Sequence, residues 1–291
     1  MAIEVAKTGS PVATSVRRSS GLPAASAFTA CGWFKYVWSD LTTGSYSTAI
    51  SLAIDSGAGT TNYITLYKDS GSGNILVAGQ DAGAATVSGT IATISLNNWF
   101  FFAMVNQGTG ANDLIGYVSA ASSNTFSSQS TQGRTFTPTR IGFAYDPFTS
   151  GTTDNWSGDM AHLKVWSRAL SLAELAVEKY SFWAQFRANL NTDSPCFNAL
   201  DDNGTANDLR DYSGNGNHWT ESDALRDHDN LSGNNIPPVP YGGRPLRLNT
   251  APSFYQGFIP TGSPYDSSYV TRRRTPYARG LSMGVDVREW W

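Results

Sequence analysis

The residue types that could do catalytic chemistry are sparse and poorly spaced for it. Gly280-Leu281-Ser282-Met283-Gly284 satisfies the pattern Gly-x-Ser-x-Gly. A nucleophile elbow, however, needs a core strand before the serine, a helix after it and a histidine later in the chain. Here Pro276 and Arg279 precede the motif, and His162, His218 and His228 all lie upstream. Retaining glycoside hydrolysis needs two carboxylates about 5 Å apart, which a strand delivers from alternate positions on one face. The glutamates are Glu4, Glu174, Glu178, Glu221 and Glu289. Glu221-Ser222-Asp223 alternates but lacks a third member, and Glu174 sits in a helix-capping pattern instead. No catalytic residue is assigned, and the expectation is a protein that is not an enzyme.

Binding chemistry has better candidates. Asp201, Asn203, Asp208 and Asp211 gather oxygens of the kind that hard cations collect, so a structural calcium is one reading and a solvated turn the other. Asp146, Asp154 and Asp159 form a second such group, while Asp227-His228-Asp229 has no Cys or His partner at zinc spacing. No other cofactor is implied. Trp156 and Trp219 offer indole faces to a glycan, with burial in the core as the alternative. Arg272-Arg273-Arg274 stands between Tyr269 and Tyr277. One triplet is a small electrostatic footprint for nucleic acid on an acidic protein, and pairing with carboxylates on a protein surface fits it better.

The elements that would hold these residues are short. Apolar runs at 28–38, 47–54, 63–67, 74–78, 86–94, 99–105, 114–118, 140–143 and 160–166 are bounded by Gly, Ser, Asp or Asn. Such runs with turn residues between them predict a two-sheet antiparallel sandwich. Residues 119–139 are Ser/Thr-rich and predict a loop. Ser171-Leu172-Ala173-Glu174 is a capping box. The apolar positions Leu172, Leu175, Val177, Tyr180, Trp183 and Phe186 carry the expected helix over about 172–188, packed at the edge of the sandwich.

Composition agrees with β structure. Charged residues are 15% of the chain, against roughly 25% in an average globular domain, and aromatics are 12%. The net charge of −3 conceals an acidic body and a basic tail, because Arg244, Arg247, Arg272, Arg273, Arg274, Arg279 and Arg288 outnumber the acids beyond residue 236. Cys31 and Cys196 each sit in an apolar run and are expected as two buried thiols rather than a disulfide. Residues 1–7 contain no stretch apolar enough for a secretory leader, and no membrane-spanning run follows. The expectation is a protein made in a host cytoplasm and not secreted.

From residue 236 the text changes. Pro237, Pro238, Pro240, Pro245, Pro252, Pro260, Pro264 and Pro276 recur too often for a helix or an interior strand. Aromatics persist among them. Residues 236–291 therefore read as an extended arm with no core of its own. Its anchors would be Tyr255, Phe258, Tyr265, Tyr269, Trp290 and Trp291, together with the Arg triplet, docking on neighbouring proteins.

Three stretches resemble the laminin-G-like jelly rolls of the concanavalin A-like lectin/glucanase superfamily. Phe28-Thr29-Ala30-Cys31-Gly32-Trp33 resembles its early Trp strand, and Trp99-Phe100-Phe101-Phe102-Ala103 its Trp-His-His-Val-Ala strand. Leu163-Lys164-Val165-Trp166-Ser167-Arg168-Ala169-Leu170-Ser171 resembles its last strand and the turn into a short helix. Asp211-Tyr212-Ser213-Gly214-Asn215-Gly216-Asn217 is similar to a turn that usually precedes the first Trp strand, yet here it follows the helix. This fits a late-entering strand and turn at 195–220, permuted or appended onto the same sandwich. Ala161-His162 stands where such chains often have Asp-Glu, so metal roles are not carried over. The resemblance implies an all-β jelly roll over 1–235 that binds rather than catalyses. Analogy with unsecreted chains of this fold points to a structural component of a bacteriophage virion, a head decoration or tail-associated protein present in multiple copies. The alternative is a glycan-binding adhesin or receptor-binding protein, and neither nucleic acid nor a membrane is an expected partner.

Overall fold

A computed structural model describes residues 3–5, 15–37, 46–54, 62–81, 85–147, 155–196, 208–221 and 226–227. In chain order its elements are β1 (Ile3–Val5), β2 (Val16–Arg18), β3 (Phe28–Tyr36), β4 (Ser47–Ala53), β5 (Tyr63–Lys68), β6 (Asn74–Gln80), β7 (Thr86–Val87) and β8 (Ala92–Thr93). Then come β9 (Trp99–Asn106), β10 (Leu114–Ala120), β11 (Ser127–Thr131), β12 (Arg140–Phe143), β13 (Gly158–Trp166), α1 (Leu172–Lys179), β14 (Leu190–Ser194), β15 (Asp208–Leu209), β16 (Trp219–Glu221) and β17 (Arg226–Asp227). Sheet A runs β11-β10-β9-β3-β13-β1-β17, with β14 also on β13; sheet B runs β15-β16-β2-β12-β4-β5-β6-β7, with β8 also on β6. All these pairings are antiparallel. The two-sheet sandwich expected from the spacing of apolar runs is present.

Between the sheets lies one aromatic core. Phe34 of β3 stacks on Phe102 of β9 at 5.2 Å between ring centroids. Trp156 meets Phe34, Tyr36 and Phe102 edge-on at 5.6, 5.2 and 5.5 Å. On sheet B, Trp219 packs edge-on against Phe143 at 5.2 Å. Edge-to-face contacts of this kind add to the burial of apolar area.

The strands of sheet A read as continuous apolar runs because both of their faces are covered. Every residue of β3 and of β13 is buried. The inner positions Phe28, Ala30, Phe34 and Met160 face sheet B through the core. The opposite positions lie under α1 and the segment after it: Trp33 donates its indole N–H to Lys179 O at 3.0 Å, and Trp166 to Phe186 O at 2.6 Å.

The helix is shorter than its apolar pattern predicts. The capping box forms as expected, Ser171 Oγ accepting the Glu174 amide while Glu174 reaches back to the Ser171 amide at 2.8 Å. The helix ends at Lys179 instead of about 188 because its last carbonyls are taken by sheet A. Lys164 Nζ donates to Glu178 O and to Ser181 O, and Ser181 Oγ to Val177 O. Phe182, Trp183 and Phe186, read as a continuing helical face, belong to an irregular segment in which Phe182 packs on Trp183 and His162. Nor does α1 sit at an edge: it lies on the face of sheet A, over the central strands β3 and β13. Its sheet-facing side carries Glu178 and Lys179 beside Leu175, while Leu172, Val177 and the capping Tyr180 are exposed. Among the described residues no helix is long and apolar enough to cross a membrane.

Other expectations shift by a strand. The segment 119–139 contains β11, which pairs with β10, and 86–94 divides into β7 and β8. The strand after the helix is β14 at Leu190–Ser194, upstream of the Cys196 position expected. The following chain adds β15 and β16 to sheet B beside β2, and β17 to sheet A beside β1. The described residues 190–196 and 208–221 therefore extend the same sandwich. Cys31 and Cys196 are free and buried.

Candidate functional site

Strand register assigns the outer face of sheet B residue by residue. Antiparallel partners directly opposite one another share a face, so Arg17, Gly142, Ser51, Thr65 and Ala78 form one row across β2, β12, β4, β5 and β6. A second row is Arg140, Ala53, Tyr63 and Gln80, and a third is Thr48, Tyr67 and Leu76. The intervening positions Ile50, Leu52, Ile64, Leu66, Ile75, Val77, Ile141 and Phe143 fill the core. Four strand spacings at about 4.8 Å make the face about 19 Å wide.

Tyr145 lies on the middle of this face. Gly142 permits it, since a Cβ at Gly142 would collide with the Tyr145 side chain. Ser51 Oγ holds the Tyr145 carbonyl at 2.7 Å. The guanidinium carbons of Arg17 and Arg140 stand 5.7 and 5.6 Å from the Tyr145 ring centroid, within cation–π range. Further along the face Tyr46 packs edge-on against Tyr67 at 5.7 Å. Tyr46 is 49% exposed and Tyr67 partly so. Burial, helped by Asp69, Tyr46 and Tyr63, pushes the Tyr67 hydroxyl up to about 12, so it stays a hydrogen-bond donor at neutral pH. Among the described residues no helix crosses this face.

This combination of partly exposed phenol rings, guanidinium forks and side-chain amide can grip a polyhydroxylated ligand. Rings cover apolar C–H faces and the polar groups meet hydroxyls. It holds no acid–base pair. Glu178 and Asp193, neighbouring carboxylates, lie on the outer side of sheet A. Glu178 is closed in by Lys164 Nζ at 2.7 Å and by the amides of Gln185 and Phe186 at 2.6 and 3.0 Å. Asp193 accepts the Ala184 amide, and burial raises its pKa.

The residues singled out from sequence lie elsewhere. Trp156 and Trp219 are wholly buried in the core, so the core alternative holds for both and neither presents a stacking face to a glycan. Asp211 is a local staple rather than an open ligand. Its Oδ1 accepts the amides of Asp193 and Ser213, and its Oδ2 the Asn217 amide and the Ser213 hydroxyl, all within 2.7–3.0 Å. Asp208 is described only as backbone of β15, and Asp201 and Asn203 lie outside the described residues. Asp159 pairs with Lys35, and Asp154 is outside the described residues. Among the described residues no three His, Cys, Asp or Glu side chains are grouped to hold a metal ion. Tyr255, Phe258, Tyr265, Tyr269, Arg272, Arg273, Arg274, Trp290 and Trp291 also lie outside the described residues.

The sequence profile of the third laminin-G type, described as the concanavalin A-like lectin/glucanases superfamily, matches residues 7–176. That is more than half of the chain, and the chain belongs to this family. No curated protein matches. Among solved structures the chain is similar to a native heptameric SAP-like pentraxin from Limulus polyphemus, at 18% identity over 60% of this chain and 79% of that one, TM-score 0.43. It is also similar to a putative carbohydrate binding protein from Bacteroides ovatus, at 14% identity over 75% of this chain and 58% of that one, TM-score 0.49. The CBM40 of a Ruminococcus gnavus IT-sialidase, bound to α2,3 sialyllactose, matches at 10% identity over 59% of this chain and 96% of that one, TM-score 0.41.

Proposed function

We propose that the protein is a non-enzymatic glycan-binding module, with the outer face of sheet B as its binding surface. The observation that carries this reading is the set of Tyr46, Tyr67, Arg17 and Arg140 on one sheet face, within the stretch that matches a lectin-containing family. Glycan-array binding by the full chain, followed by titration of the best ligand, tests it. Tyr46→Ala and Tyr67→Ala should each weaken binding about tenfold, equivalent to about 1.4 kcal/mol, while Leu172→Ala on the far side of the molecule leaves it intact. A folded wild-type chain that binds no glycan, or two tyrosine variants that bind normally, would sink it.

The second reading, a virion component seated by its arm, draws its support from the arginine- and aromatic-rich composition of residues 236–291. On that reading a chain ending at Asn235 stays soluble but fails to join its particle. Normal occupancy by the shortened chain would dismiss it.

A further inference from the structure

We infer that the saccharide taken by this face is acidic, with Arg17 reading its anionic group; this rests on the glycan-binding reading above. Most other cations described in the structure are already matched. Lys35 pairs with Asp159, Arg134 with Asp81, Lys164 with Glu178, Arg168 with Glu174 and Arg187 with Asp193. Arg18, one residue away but turned to the other side of the sheet, donates to Asn191, Thr192, Gly21 O and Asn217 O and lies over Trp219. Lys68 and Lys179 donate to backbone carbonyls. Arg17, like the exposed Arg210 over Tyr212, pairs with no described carboxylate. It is half-buried, and its contact among the described residues is the ring of Tyr145, which Arg140 shares.

A guanidinium has five N–H donors in a planar fork. The Arg17 guanidinium carbon stands 5.7 Å from the Tyr145 ring centroid, and Tyr145 is itself held by Gly142 and Ser51. A half-buried guanidinium set beside a fixed ring and without a described anion is suited to bidentate pairing with a carboxylate or sulfate. Directly across the strand pair stands Thr220 of β16, exposed, with a hydroxyl to offer a sugar ring.

The test compares matched oligosaccharides against the full chain by calorimetry: glucose oligomers, glucuronic acid oligomers and 6-sulfated glucose oligomers. The expected result is at least a tenfold preference for one or both acidic forms, weakening as salt is raised. Arg17→Gln should erase that preference, with an unchanged melting curve; Arg17→Lys should restore only part of it. The relative affinity of the carboxylated and sulfated forms identifies the anion. Equal binding of neutral and acidic sugars, or a preference that survives Arg17→Gln, overturns the inference while the glycan-binding reading stands. No binding of any saccharide by the folded chain overturns both.

Discussion

On the outer face of sheet A, Lys164 and Asp193 are buried beneath α1 and the segment that follows it, against Glu178 of α1 itself, and the Lys35–Asp159 pair is buried too, each charge near an opposite one. On the outer face of sheet B the middle is also buried, at Ser51, Thr65, Ala53, Tyr63 and Tyr145, but Arg17, Arg140 and Tyr67 stay partly exposed, and no described helix lies over them. The residue types overlap, and the difference is what covers them. A covered charge must find its partner inside the protein, since desolvation would otherwise cost several kcal/mol. A partly exposed one can still meet a ligand. The same contrast shows in α1, which turns Glu178 and Lys179 toward the sheet beside Leu175, and Leu172 and Val177 outward.

The sharpest way to break this contrast is at Lys164. Lys164→Met leaves Glu178 buried without its ion pair and should cost about 3–5 kcal/mol in urea unfolding. Lys164→Met combined with Glu178→Leu should recover most of that loss. A single variant costing under about 1 kcal/mol would mean that face A is not closed.

Next in size is Tyr67→Ala on the opposite face. It should lower stability by about 1 kcal/mol, because its ring is only partly buried, while saccharide affinity falls about tenfold. The contrast fails if stability drops as far as for Lys164→Met and binding does not change.

Ser171→Ala, which removes the helix cap over face A, should cost about 1 kcal/mol and leave glycan affinity untouched. The smallest effect is the acid sensitivity of the same cap. Hydrogen bonds from Arg168, with help from Ser171, hold the Glu174 carboxyl down at about 2 against an ordinary 4.5. A depressed carboxyl stabilises the fold above its unfolded pKa and loses that contribution as pH falls. The stability gap between wild type and Glu174→Gln should therefore be full at pH 6 and shrink between 4.5 and 2. It should stay under about 1 kcal/mol, since the pair is partly solvated. A gap that widens on acidification would contradict the sign.

Much of the sandwich was legible in the sequence. Short apolar runs with turn residues located most strands, and Ser171 with Glu174 marked the start of α1. Lys35 and Lys164, each inside an otherwise apolar run, were the unread signal that face A is covered. The end of the helix was not legible locally, because Lys164 and Trp33, far away in sequence, take its last carbonyls. The candidate site was missed for a related reason. Its members come from separate strands, and only register brings Arg17, Arg140, Tyr63 and Tyr67 to one face. The alternation Tyr63-Ile64-Thr65-Leu66-Tyr67 was visible and could have pointed to it. Trp156 and Trp219 could not be placed from type alone, because large aromatics suit both cores and sugar platforms.

The placement of β16 beside β2, and of β17 beside β1, has a consequence in time. Arg17 pairs with Thr220, and Ile3 with Asp227. At about 5–20 residues per second of synthesis, about 10–40 s separate the emergence of Arg17 from that of Thr220. Through that interval β2 can pair with nothing on the side that β16 will occupy, and an unpaired strand edge is a template for other chains. Pairings this distant in sequence also make β sandwiches slow folders. A nascent or truncated chain lacking Trp219 would also leave the Phe143 end of the core open, so aggregation during production, more than thermal unfolding of the finished protein, is the hazard this topology carries.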